Sequence, residues 1–130
     1  MSFDVYVEVE GDDDEGSQRW ANYTSNMGAF FAWALDGTEF ADPTARCDSR
    51  DAILGAGPAD GLITLNRLAA PEAAARLRSA LARIDVTASR DLRRFDATNG
   101  WGDWESATEF LRKLHRFCVE APTGKVRITR

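Results

Sequence analysis

Few side chains in this sequence are of types that run chemistry. The one histidine, His115, falls in a helical stretch beside an apolar stripe, where a structural role is expected rather than general-base work. No serine or cysteine stands in a nucleophile elbow. Cys47 and Cys118 lie 71 positions apart, a spacing that fits no zinc or redox motif, and Cys118 falls within the apolar stripe. Two reduced thiols are expected. Four consecutive acids, Asp12, Asp13, Asp14 and Glu15, have the charge to gather a divalent cation. They lack the alternating ligands, central glycine and closing glutamate of a calcium loop, so they read as a solvated hairpin tip. Gly55, Gly57 and Gly61 are followed by no Gly-Lys-Ser/Thr and preceded by no strand, which removes both common phosphate cradles. No catalytic residue, metal or cofactor is therefore expected.

Two polar–aromatic segments are the stronger candidates for binding: Asn22-Tyr23-Thr24-Ser25-Asn26 and Asn99-Gly100-Trp101-Gly102. Each leads into a helical pattern. In one reading both are structural caps, with Tyr23 and Trp101 packed as staples. In the other the two helix entries converge, and Asn22, Tyr23, Thr24, Asn26, Asn99 and Trp101 line a pocket for an anion or a carbonyl group.

The elements that must position these residues follow from periodicity. Phe3, Val5, Val7 and Val9 alternate with polar or half-polar residues, the period of a half-buried strand. Gln18 to Tyr23 predicts a second strand in a hairpin with the first. Thr24, Ser25 and Asn26 are all good N-caps for a helix carrying Phe30, Phe31, Trp33 and Leu35, closed by Asp36-Gly37. Residues 38–62 are the least readable, with one helical turn at most around Ser49 to Leu54. Pro71 opens the clearest amphipathic helix, about 70–85, on a stripe of Ala73, Ala74, Leu77, Ala80, Leu81 and Ile84. Thr87 to Thr98 reads as a polar connection. Asp103 then caps a last helix whose stripe is Trp104, Ala107, Leu111, Leu114 and Cys118. Val126 and Ile128 alternate in a final strand. The expectation is a single α+β domain over 1–130: a small antiparallel or mixed sheet, N- and C-terminal strands paired, packed against about three helices.

Charge bears on partners. Residues 1–60 carry 13 acidic and 3 basic side chains, whereas 61–130 carry 8 acidic and 13 basic. The net charge of −5 argues against nucleic acid as a partner. Asp12, Asp13, Asp14, Glu15, Asp36, Glu39 and Asp42 are positioned to offer a negative face to a basic protein. No apolar run reaches the roughly 18 residues that cross a bilayer, and Met1 to Tyr6 shows no signal-peptide pattern, so a cytoplasmic location off the membrane is expected.

The order of a Phe-Asp-Val-Tyr-Val strand, Asn-Tyr-Thr-Ser-Asn, an aromatic helix, Asn-Gly-Trp-Gly, and Pro122 before a Val-Arg-Ile-Thr strand resembles a group of small actinobacterial and phage proteins. The likeness covers about residues 2–35 and 95–129. It implies an α+β fold and a setting of bacterial or phage conflict, with no catalytic activity. In size, charge and fold class the chain is also similar to the acidic immunity proteins that neutralise bacterial toxins. The function expected is thus a non-catalytic interaction protein that binds and neutralises a partner protein. The alternative is a small-ligand binder using the Asn22/Asn26 and Asn99/Trp101 corner.

Overall fold

A computed structural model of the chain describes residues 2–9, 20–24, 27–37, 61–97 and 100–129. Among these, strand β1 (Ser2–Glu8) lies at the centre of a three-stranded antiparallel sheet, between β2 (Trp20–Thr24) and β3 (Lys125–Thr129). Four helices accompany it among the described residues: α1 (Gly28–Asp36), α2 (Ala70–Asp85), the short α3 (Ser89–Leu92) and α4 (Trp104–Glu120). The expected fold class holds, and the strands at the two ends of the chain pair, with Val5 opposite Ile128 and Val7 opposite Val126.

Alternation decides the two faces of the sheet. Phe3, Val5 and Val7 are each about 1% exposed and join Ala21, Val126 and Ile128 beneath the helices. The intervening residues Asp4, Tyr6 and Glu8 face Asn22, Trp20, Arg127 and Lys125 across the strands on the other side. The outer edge of β3 is covered without a further strand. Arg67 N donates to Val126 O (2.7 Å), Val126 N to Leu68 O (2.9 Å) and Ile128 N to Asn66 Oδ1 (2.9 Å). Those bonds satisfy groups that an open edge would leave for another chain.

Helix α1 is buried from Gly28 through Ala34, as a helix apolar on every side must be. Phe30 and Phe31 are wholly inside. Gly37 ends it at φ 74°, its N–H bonded to Trp33 O at 2.9 Å. Gly61, at φ 52°, opens a 3-10 turn (Gly61–Leu65) pressed onto this helix. A Cβ there would stand 2.6 Å from Ala32 N, so only glycine fits. Helices α2 and α4 bury the stripes expected of them except for Leu81 and Trp104, which are partly covered, and pack on each other and on the sheet.

Three details differ from expectation. Thr24 is no helix cap: it continues β2 to pair with Ser2, and the residue before α1 is Met27, which caps with no side-chain hydrogen bond. A β-branched threonine extends a strand at little cost, and one more ladder pair outweighs a cap. The stretch after Thr87, expected only as a polar connection, contains α3 followed by a 3-10 turn (Arg93–Phe95). Leu92 and Phe95, three residues apart, are both buried, and a helical turn is the backbone that points both inward. Trp104 is only partly covered. The helical turn anticipated at Ser49 to Leu54 lies outside the described residues.

Candidate functional site

Tyr23 is where the two ends of the chain meet. Its backbone sits in β2, opposite Phe3. Its ring packs against Phe110 of α4 (centroids 5.2 Å apart) and edge-on to Phe31 of α1 (5.8 Å). Its hydroxyl donates to Asp103 O at 3.1 Å and shares a 2.7 Å hydrogen bond with Ser106 Oγ. Burial holds this phenol above its usual pKa against the opposing effect of the Ser106 bond, so it stays a neutral donor throughout the physiological range.

The start of α4 is heavily bonded. Asp103 Oδ1 accepts from Ser106 N (2.7 Å) and Asp96 Oδ1 from Trp104 N (2.8 Å), so two of the helix's free first-turn amides are taken by carboxylates. Ahead of it, Gly100 (φ 80°) and Gly102 (φ 127°) carry the Gly-Trp-Gly turn, tied back by Ala97 N to Gly102 O at 3.1 Å. A Cβ on Gly102 would lie 2.9 Å from Met27 Cγ and 3.1 Å from Thr24 Cγ2.

The entries of α1 and α4 therefore adjoin, as the convergence reading requires. The contact is filled by Met27, Thr24 and the Tyr23 ring. Trp101 stands on the surface, 72% exposed, and is no buried staple. Asn22 donates from Nδ2 to Asp4 Oδ1 (2.7 Å). Asn26 and Asn99 lie outside the described residues. Of the acidic set expected to face a partner, Asp36 is described, and it is engaged within the chain: Arg76 holds it at 2.5 Å while also bonding Thr64 Oγ1 at 2.7 Å. Asp12, Asp13, Asp14, Glu15, Glu39 and Asp42 lie outside the described residues.

Sequence reasoning missed the surface beside Tyr23. Between β2 and α4 runs a groove of about 470 Å³, with Ala21, Asn22 and Tyr23 on one side and Ser106, Phe110 and a cationic row on the other. The row is Arg112, Lys113 and Arg116, spaced so that one face of α4 carries all three. Glu109 is the acid in this lining, and it forms an ion pair with Arg112. Lys113 and Arg116 line the groove and also lie over the Phe117 ring, each 5.9 Å from its centroid. The signal in the sequence is positive charge opposite the apolar stripe, but only the packing of β2 against that helix makes it a groove.

The groups most capable of covalent or acid–base chemistry are placed elsewhere. Cys118 is buried, and desolvation pushes its thiol up to about 11, so it is a protonated core residue at neutral pH. His115 is half-buried on α4, and its Nε2 is enclosed with no hydrogen-bond partner. Among the described residues no three His, Cys, Asp or Glu side chains gather to hold a metal, and no helix is long and apolar enough to cross a membrane. No protein-family model, curated protein or solved structure matches this chain.

Proposed function

We propose that this chain is a non-catalytic interaction protein that holds a partner protein, as an immunity protein does, and that the partner seats an acidic surface on the β2–α4 groove. The observation that carries the reading is the pair Lys113 and Arg116, beside the Arg112–Glu109 ion pair, along an open trough whose opposite wall is a strand at the sheet's edge. Small-molecule sites enclose most of their ligand, whereas this trough is shallow and Arg112 is 51% exposed. Such a surface suits a macromolecular partner. Cationic side chains at a rim also speed encounter with an acidic partner and set its orientation. The sign of the charge differs from the sequence expectation of a negative docking face, of which Asp36 alone is among the described residues and is bound by Arg76.

Affinity capture from source cells with the full chain tests the proposal. Wild type is compared with Lys113→Glu/Arg116→Glu and with Arg78→Glu, a charge reversal on the exposed side of α2. A stoichiometric partner retained by wild type and Arg78→Glu but lost by the double variant is the expected result. The same proteins on all three baits, or no stoichiometric partner on any, would sink the reading.

A further inference from the structure

Trp101 is 72% exposed, yet the turn that carries it is fixed in place. We propose, resting on the reading of the β2–α4 groove as a docking surface, that this indole anchors the interface. It seats in an apolar socket of the same partner protein whose acidic surface meets Lys113 and Arg116.

Two glycines hold the indole outward. Gly100 and Gly102 take φ 80° and 127°, backbone that residues with a side chain rarely adopt. The turn is tied on both sides of Trp101: Gly100 N donates to Ala97 O (3.2 Å) and Ala97 N to Gly102 O (3.1 Å). Gly102 also lies close against Met27 and Thr24, and Asp96 Oδ1 holds the amide of Trp104 at 2.8 Å. A large ring on a fixed turn has little backbone entropy left to lose on binding. Tryptophan presented in this way is the residue type most enriched among those that dominate protein interfaces.

The place of the turn matches the groove. Gly102 abuts Thr24, the residue after Tyr23 on β2, and Tyr23 bonds Asp103 O and Ser106 at the start of α4. The turn therefore stands at the Ser106 end of the groove, with Lys113 and Arg116 further along it. Ser106 and Arg116 are ten helical residues apart, about 15 Å. A span of that length suits a folded partner that touches both ends of one surface. Lys113 and Arg116 form no ion pair among the described residues, so an acidic rim on the partner complements them. Trp20, exposed as well, stands across from Tyr6 on the outer side of the sheet and not on this surface. The two ends act at different stages: the cations attract before contact, and the indole holds by burial after it.

The probe is the protein that wild type retains and Lys113→Glu/Arg116→Glu loses, purified and bound to the full chain in real time. Trp101→Ala should raise its Kd roughly 30-fold, almost wholly through koff. Lys113→Ala should instead lower kon and flatten its dependence on salt. Val86→Ala, which trims an 84% exposed apolar residue that does not line the groove, should change neither rate. With fluorotryptophan in the otherwise unaltered chain, the fluorine signal that Trp101→Phe removes should shift on binding and gain protection from a soluble paramagnetic quencher. A Trp101→Ala variant with wild-type koff, or a Trp101 signal that stays open to the quencher in the complex, would overturn the anchor and leave the docking groove standing. Absence of any stoichiometric partner would overturn both.

Discussion

The bond between Tyr23 and Ser106 ties the N-terminal sheet to the C-terminal helix, and a double-mutant cycle measures that tie. Tyr23→Phe keeps the ring against Phe110 and Phe31 and removes only the hydroxyl, hence the 2.7 Å bond to Ser106 Oγ and the 3.1 Å bond to Asp103 O. A net intramolecular hydrogen bond contributes about 1 kcal/mol, so losing both at a half-buried site should cost about 1–2 kcal/mol. Ser106→Ala removes the same shared bond and a long 3.3 Å bond to Asp103 O, for about 1 kcal/mol. Because the two single variants break one common bond, the double variant should fall short of their sum by about 0.5–1 kcal/mol. Urea unfolding reads this directly. With a slope of about 2 kcal/mol per molar, Tyr23→Phe should lower the midpoint by roughly 0.5–1 M. Strict additivity of the two variants, or an unchanged midpoint for Tyr23→Phe, would refute the claim that this bond joins β2 to α4.

Two further perturbations probe the site's surroundings. Gly102→Ala should cost about 2–3 kcal/mol, from its φ of 127° plus a Cβ 2.9 Å from Met27 Cγ, while Gly100→Ala, at φ 80° with open space around it, should cost only about 1 kcal/mol. Equal losses in thermal melts would mean that the entries of α1 and α4 do not touch. Cys118 binds its proton more tightly when folded, so its contribution is complete below pH 9 and is lost as pH rises from 9.0 towards about 11, to a total of about 2–3 kcal/mol. Unfolding free energies at pH 8 and pH 10.5 should therefore diverge less in Cys118→Ala than in wild type, and parallel pH profiles would show that the thiol titrates normally.

Much of the scaffold is legible in the sequence because its cues are local. Alternation in Phe3-Val5-Val7 and Val126-Ile128, the glycine after Asp36, Pro71 and Asp103 each act within a few residues of the element that they define. The pairing of the terminal strands is readable because two half-buried strands must bury one face together. The α3 turn is not, because Leu92 and Phe95 are too few to show a period, and Phe95 is covered by Phe30 and Trp33, whose rings lie 5.5 and 5.4 Å from its own. Thr24 misleads for a related reason: its propensity for a cap is intrinsic, but its ladder partner Ser2 is 22 residues away. The groove on α4 is the least visible, since the residues of one helix face state that it is solvated and not which neighbours rise beside it.

Tyr23 connects the legible part of the site to the part that is hidden. Asn-Tyr-Thr-x-Asn reads as a string of groups able to touch a ligand, yet the tyrosine hydroxyl is spent on Ser106 and Asp103, and its ring on Phe31 and Phe110. What it does instead is fix the separation of β2 from α4, and that separation is the width of the cationic groove. The same contact orients α4 about its long axis, since Ser106 and Phe110 must face β2. With a rotation of about 100° per residue, that choice carries Arg112 and Glu109, with Lys113 and Arg116, to the groove beside β2. The motif thus acts through geometry: one aromatic residue at a sheet edge decides which charges on the last helix line the groove that we propose a partner occupies.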